Sequence, residues 1–213
     1  YLALTGQRIK ASDLIYTGLA THYIPSTKLS ELEKALIQAT NLDDNDNSPS
    51  QTHGDNDDVV ADVLASFHEN IATENCHLAV HQDAINNYFQ GDTCEDIFAA
   101  LEAQNDTFAV ETLKTLQKMS PTSMKVTLEG LKRGGAVSTI GEDLQMEYRM
   151  ARASTLPGAD FFEGVRAMLV DKDQSPRWNP STIHAVSEQR VQEFFAPIQE
   201  EWIIPPLPTP SKL

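Results

Sequence analysis

Cysteine is nearly absent from this 213-residue sequence: Cys76 and Cys94 stand alone, too few and too unpatterned for a disulfide framework, and both are expected as small core residues. Positive charge is scarce as well. Sixteen Lys and Arg face 31 Asp and Glu, a formal net charge of −15 with a pI near 4.6. That balance excludes a nucleic-acid surface of the usual clustered-basic kind. It leaves room for a local basic spot facing a phosphorylated ligand, because net charge governs solubility and encounter more than any single contact. No apolar run approaches the roughly 18 residues of a membrane span, so no membrane partner is expected. An initiator Met is missing too: the chain opens on Y-L-A-L-T-G, which predicts a piece of a longer polypeptide.

Catalytic signatures are also wanting. There is no G-x-S-x-G nucleophile elbow; Ser138 lies between Gly135 and Gly141 at the wrong spacing. His77 and His81 share a helix face at i, i+4, with Cys76 or His68 as a third candidate, but two ligands do not make a zinc site and H-E-x-x-H is absent. Asp44, Asp46 and Ser48 alternate as a calcium loop would, without the glycine that an EF-hand needs at its sixth place. The K-R-G-G stretch has no strand before it and no Lys-Ser/Thr after it, so it reads as a helix end and not as a phosphate loop. No catalytic residue and no metal ligand is assigned.

Helical periodicity is plentiful. Ser12 is placed to cap a short helix that Gly18 closes with a positive φ, and L-A-T-H-Y-I-P after it reads as extended. From Ser30, Leu32, Ala35, Leu36 and Ala39 form one apolar stripe. Further helices are predicted over Val59–His68, Leu78–Phe89, Cys94–Ala103, Phe108–Met119, Thr122–Lys132, Ile140–Ala153, Phe161–Leu169 and Glu188–Phe195. Thr139 with Glu142, Asp160 with Glu163 and, more loosely, Thr93 with Asp96 have capping-box spacing. Ser120 reads as a cap with Pro121 at the first helical position.

Two stretches go further. Y-L-A-L-T-G-Q-R-I-K-A-S-D-L-I-Y-T-G-L-A-T-H-Y-I-P resembles the segment of crotonase-superfamily enzymes that follows their active-site region. M-S-P-T-S, M-E-Y-R and D-F-F-E-G-V-R-A-M-L-V-D-K-D-Q-S-P-R-W resemble hallmarks of the C-terminal half of the 3-hydroxyisobutyryl-CoA hydrolase family, thioesterases of valine breakdown. The resemblance covers most of the chain except residues 41–62 and the tail. It implies a mainly α protein, the C-terminal helical portion of a crotonase-like α/β fold with at most one or two short strands near the start. The expected organisation is the end of a crotonase-like core over 1–40, an acidic flexible linker over 41–62, a helical C-terminal domain over 63–200, and a proline-rich tail over 201–213.

In that family the oxyanion-hole amides and the carboxylates that handle water lie upstream of the Leu-Thr-Gly segment, and no matching motif occurs here. The resemblance therefore implies a fragment inactive by itself, working on an acyl-CoA substrate together with a missing N-terminal half. A homo-oligomer is a further partner to consider. No cofactor is expected, since CoA enters as part of the substrate. Lys172 and Arg166, with Arg177 nearby, match the positions where a basic residue approaches CoA phosphates. Against this, Arg166 also stands three residues after Glu163, at ion-pair spacing, and Lys172 sits between two aspartates as a solvated turn would. Trp178 is expected as a packing anchor. Two readings compete with the hydrolase: a non-catalytic structural subunit of the mitochondrial ribosome, and a stand-alone helical interaction module. The final Ser211, Lys212 and Leu213 spell the peroxisomal address, read by an import receptor; a mitochondrial location is the alternative.

Overall fold

The computed structural model describes residues 1–41 and 53–198. Among them there are helices and connections and no β-strand, so the mainly α expectation holds, and the extended stretch around Tyr23 pairs with a helix end instead of a neighbouring strand. No helix among the described residues is long and apolar enough to cross a membrane. The expected linker and calcium-like aspartates between 42 and 52, and the proline-rich tail with Ser211–Leu213, lie outside the described residues.

The chain divides into two compact units: residues 8–82, and residues 1–7 together with the chain from 83 onward. The first unit contains α2 (Ala11–Tyr16), α3 (Leu29–Asn41), α4 (His53–Phe67) and α5 (His77–Val80). Helix α4 starts six residues before the predicted Val59, inside the segment expected to be linker. Asp is an acceptable start-of-helix residue, and α4 packs along α3. The extended stretch is fastened to the end of α4: Tyr23 N–H donates to His68 Nδ1 at 3.0 Å, Glu69 N–H donates to Tyr23 O at 2.9 Å, and Lys28 pairs with Glu69 at 2.6 Å. Those long-range bonds tie 63–82 to 8–41. Helix α2 begins at Ala11, so Ser12 lies within its first turn, and Asp13 does the capping by accepting from Lys10 N–H at 3.1 Å. Gly18 closes the helix with φ 72, as its sequence position predicts.

In the second unit α1 (Leu2–Thr5) packs against α8 (Thr107–Leu116) and α9 (Pro121–Gly134). The Tyr1 ring meets Phe89 and Phe108 at 5.3 and 5.5 Å. Around it run α6 (Gln82–Tyr88), α7 (Cys94–Glu102), α10 (Ile140–Ser154), α11 (Asp160–Val165) and α12 (Glu188–Glu193). The predicted helix over Leu78–Phe89 is broken at His81, where the backbone leaves helical geometry (φ −106). Leu4, Cys94, Ile97, Leu101, Ala109, Leu116, Met124 and Ile183 form the main core. A second cluster of Val126, Val186, Val191, Phe194 and Phe195 seats α12 on α9, with Arg133 lying 4.0 Å above the Phe195 ring. Cys94 is 2% exposed, and burial pushes its thiol up to about 11, so it is a core residue and not a nucleophile.

Candidate functional site

The hallmark stretch from Asp160 to Trp178 folds into one built unit. Helix α11 ends at Val165 and continues as a single π-helical turn, Arg166–Val170, closed by Asp171 N–H donating to Arg166 O at 2.8 Å. The chain then doubles back, with Gln174 N–H donating to Ala167 O at 3.1 Å. That reversal needs two residues in the left-handed region, Lys172 at φ 56 and Gln174 at φ 53, a conformation that costs a non-glycine residue about 1–2 kcal/mol. A network of side-chain bonds compensates for it.

Arg166 is the centre of that network. Its Nε and Nη2 form a fork on Glu163 at 2.9 and 2.8 Å, Nη1 donates to Asp171 at 2.6 Å and Asp173 at 2.7 Å, and Nη2 also donates to Ser175 O at 3.3 Å. A guanidinium has five N–H donors, and all five are engaged. The pairing with Glu163 follows from the i, i+3 spacing; Asp171 and Asp173 reach Arg166 only because the chain turns back. Glu163 is held at about 2, mainly by Arg166 and then by Arg177 N–H, which donates to it at 2.7 Å. The carboxylates, Glu163 foremost, push Arg166 further above its ordinary value, and Arg166 and the Ser175 amide lower Asp173.

Trp178 anchors the returning strand of chain. Its Nε1–H donates to Lys118 O at 3.0 Å and its ring lies against Gly164, where a Cβ would stand 3.4 Å from the indole. Asp160 and Glu163 have capping-box spacing but do not cap α11, whose N-cap is Ala159 without a side-chain bond. Tertiary partners take their oxygens instead: Asp160 accepts from Ser120 Oγ at 2.5 Å and Asn179 N–H at 3.2 Å. Ser120 meanwhile caps α9 through Ser123 N–H at 3.0 Å, with Pro121 following, as its sequence predicts.

Of the two residues expected at CoA phosphates, Arg166 has no donor left to offer, while Lys172 is exposed at the tip of the loop. Nothing in this unit is arranged as a nucleophile with its base; it is a holding device. Elsewhere, His77 and His81 face each other at 4.8 Å between ring centroids. No group of three or more His, Cys, Asp or Glu among the described residues is placed to hold a metal.

Known proteins carry this architecture. The sequence is 42% identical over 198 residues to 3-hydroxyisobutyryl-CoA hydrolase, mitochondrial, of Xenopus laevis, and 40% identical over 198 residues to its counterpart in Bos taurus; each match takes in 92% of this chain. The chain spans about half the length of these relatives, 48% and 47%. A solved carnitinyl-CoA dehydratase from Mycobacterium thermoresistibile superposes on 93% of this chain with a TM-score of 0.74 at 32% identity, again over about half of that protein, 51%. The family described as enoyl-CoA hydratase/isomerase matches residues 1–195, from α1 through the Arg166 loop to α12, and the chain belongs to that family.

Proposed function

We propose that this chain is the C-terminal part of a CoA thioester hydrolase acting on 3-hydroxyisobutyryl-CoA or a close branched acyl-CoA, and that it does not hydrolyse thioesters alone. The observation that carries the reading is the identity of about 40% to 3-hydroxyisobutyryl-CoA hydrolases over 92% of the chain. The hallmark stretch Asp160–Trp178 is intact and folds as one bonded loop. The chemistry of thioester hydrolysis requires donors aimed at the developing oxyanion and a carboxylate to activate water. The Arg166 loop offers neither, since its carboxylates are committed to Arg166.

In this reading the exposed apolar side chains of Phe161, Phe162, Met168, Leu169 and Val170 cover a complementary half of the fold, and Lys172 contacts a CoA phosphate. The Ser211-Lys212-Leu213 sequence would address the protein to peroxisomes through an import receptor, in contrast to the mitochondrial relatives; binding of a peptide ending in these residues to that receptor is the direct check.

The deciding experiment is thiol release from 3-hydroxyisobutyryl-CoA by the purified chain, in parallel with reactions containing the portion of the Bos taurus hydrolase that this chain does not match. The expected result is silence alone and hydrolysis on reconstitution. Activity of the chain alone would overturn the fragment reading, and silence in both would turn attention to a structural role. In a reconstituted enzyme K172A is expected to raise KM about tenfold with kcat little changed, the loss of one charge-assisted hydrogen bond made equally in ground and transition states.

A further inference from the structure

Thr122 is the member of M-S-P-T-S that the start of α9 leaves unexplained. Ser120 caps the helix, Pro121 takes the first position, and Ser123 N–H is satisfied by the cap. Thr122 is 4% exposed, yet its Oγ1 has no hydrogen-bond partner in the protein. Buried hydroxyls are nearly always satisfied, so an orphaned one points to a missing partner.

Thr122 lines a small, partly open pocket of about 20 Å³, whose polar lining comes from Thr122, Ser123, Ser154, Asp160 and Arg190. One water needs roughly 10–15 Å³ and two to four polar partners. The pocket therefore has room for a water.

Acceptors are present around it. The two oxygens of Asp160 each take one hydrogen bond, from Ser120 and from the Asn179 amide, and a carboxylate oxygen has room for a second. Ser154 Oγ donates to Met150 O at 2.8 Å, which leaves its own lone pairs to accept. The positive end of the 14-residue α9 lies at the same place.

We propose that this pocket binds a single ordered water, which accepts from the Thr122 hydroxyl and donates to Asp160 and Ser154. The water would join the start of α9, the end of α10 and the first turn of α11, just before the Arg166 loop. It gives a reason for threonine at 122 where valine would fill the same volume.

Thermal unfolding of the full chain and crystal structures of the parent, T122V and T122S test this. T122V keeps the shape and removes the hydroxyl; it is expected to lower Tm by about 2–4 °C and to lose an ordered water that the parent and T122S both show. A T122V protein as stable as the parent, or more stable, would mean that the hydroxyl sits in a dry pocket, and the proposal fails. It fails equally if the parent shows no ordered water beside Thr122, whatever happens to Tm.

Discussion

One buried carboxylate serves two helix starts within residues 8–82. Asp13 is 3% exposed; one oxygen accepts from Lys10 N–H at the head of α2, the other from Leu78 N–H at 2.8 Å at the head of α5. Burial works to raise its pKa, but the Leu78 and Lys10 amides, the Cys76 thiol and the nearby His77 outweigh that and hold it below the usual 3.8. A depressed carboxylate contributes stability above its unfolded pKa, and that contribution is lost as pH falls through the folded value. D13N is isosteric but turns an N–H donor toward an amide that needs an acceptor. It is expected to cost about 1–3 kcal/mol at pH 7 in urea unfolding, with a penalty that shrinks as pH falls below 3.8 and through the lowered folded value of Asp13, where the parent's own carboxylate takes up a proton. Glu163 follows the same sign. Held at about 2 against an ordinary 4.5, it stabilises the Arg166 loop above pH 4.5 and gives this up progressively toward pH 2. E163Q should therefore flatten the acid limb of the stability profile. An unchanged limb would show that the loop is held without this charge.

At the scale of whole helices, close contacts decide what a glycine can become. A Cβ on Gly91 would stand 2.6 Å from Asp96 Cβ and 3.2 Å from the Ile97 amide, against the residue that completes the Thr93–Asp96 cap of α7. A Cβ on Gly130 would meet Met150 Cε at 2.9 Å, the mobile end of a side chain that has other rotamers. G91A should cost about 1–3 kcal/mol as an overpacked, displaced helix start, and G130A distinctly less; equal losses in denaturant unfolding would contradict this account. The caps at Thr93, Ser120 and Thr139 were readable from the sequence because each is closed within four residues. Asp160 and Glu163 have the same spacing without forming a cap: Arg166, three residues on, takes Glu163, and the other partners that claim the two carboxylates, Ser120, Asn179 and Arg177, lie 14 to 40 residues away. The same limit hid Asp171 and Asp173, whose reach to Arg166 depends on a π turn and two left-handed residues that no hydrophobic period announces. Helix α4 starts before Val59 because its Asp-rich opening has the composition of a linker but gains α3 to pack against.

For the molecule as a whole, two electrostatic terms compete. Lys28–Glu69, Lys125–Glu95, Arg133–Glu129 and Arg190–Glu193 are partly exposed pairs, each worth about 0–1 kcal/mol and weakened by salt, and the Arg166 cluster is weakened by salt in the same way. Against them stands the mutual repulsion of a chain with a formal net charge of −15, which favours expansion and is also weakened by salt. Raising ionic strength from 10 to 150 mM shortens the Debye length from about 30 to about 8 Å. Hydrogen-bonded pairs at 2.6–2.9 Å lie well inside either length, whereas repulsion between scattered carboxylates acts across distances that the shorter length cuts off. Repulsion should thus lose more than attraction, and Tm should rise by about 2–4 °C over that range, roughly 1 kcal/mol for a chain of this size. A Tm that falls with added salt would mean that the ion-pair clusters, the Arg166 cage foremost, dominate the electrostatics of the fold.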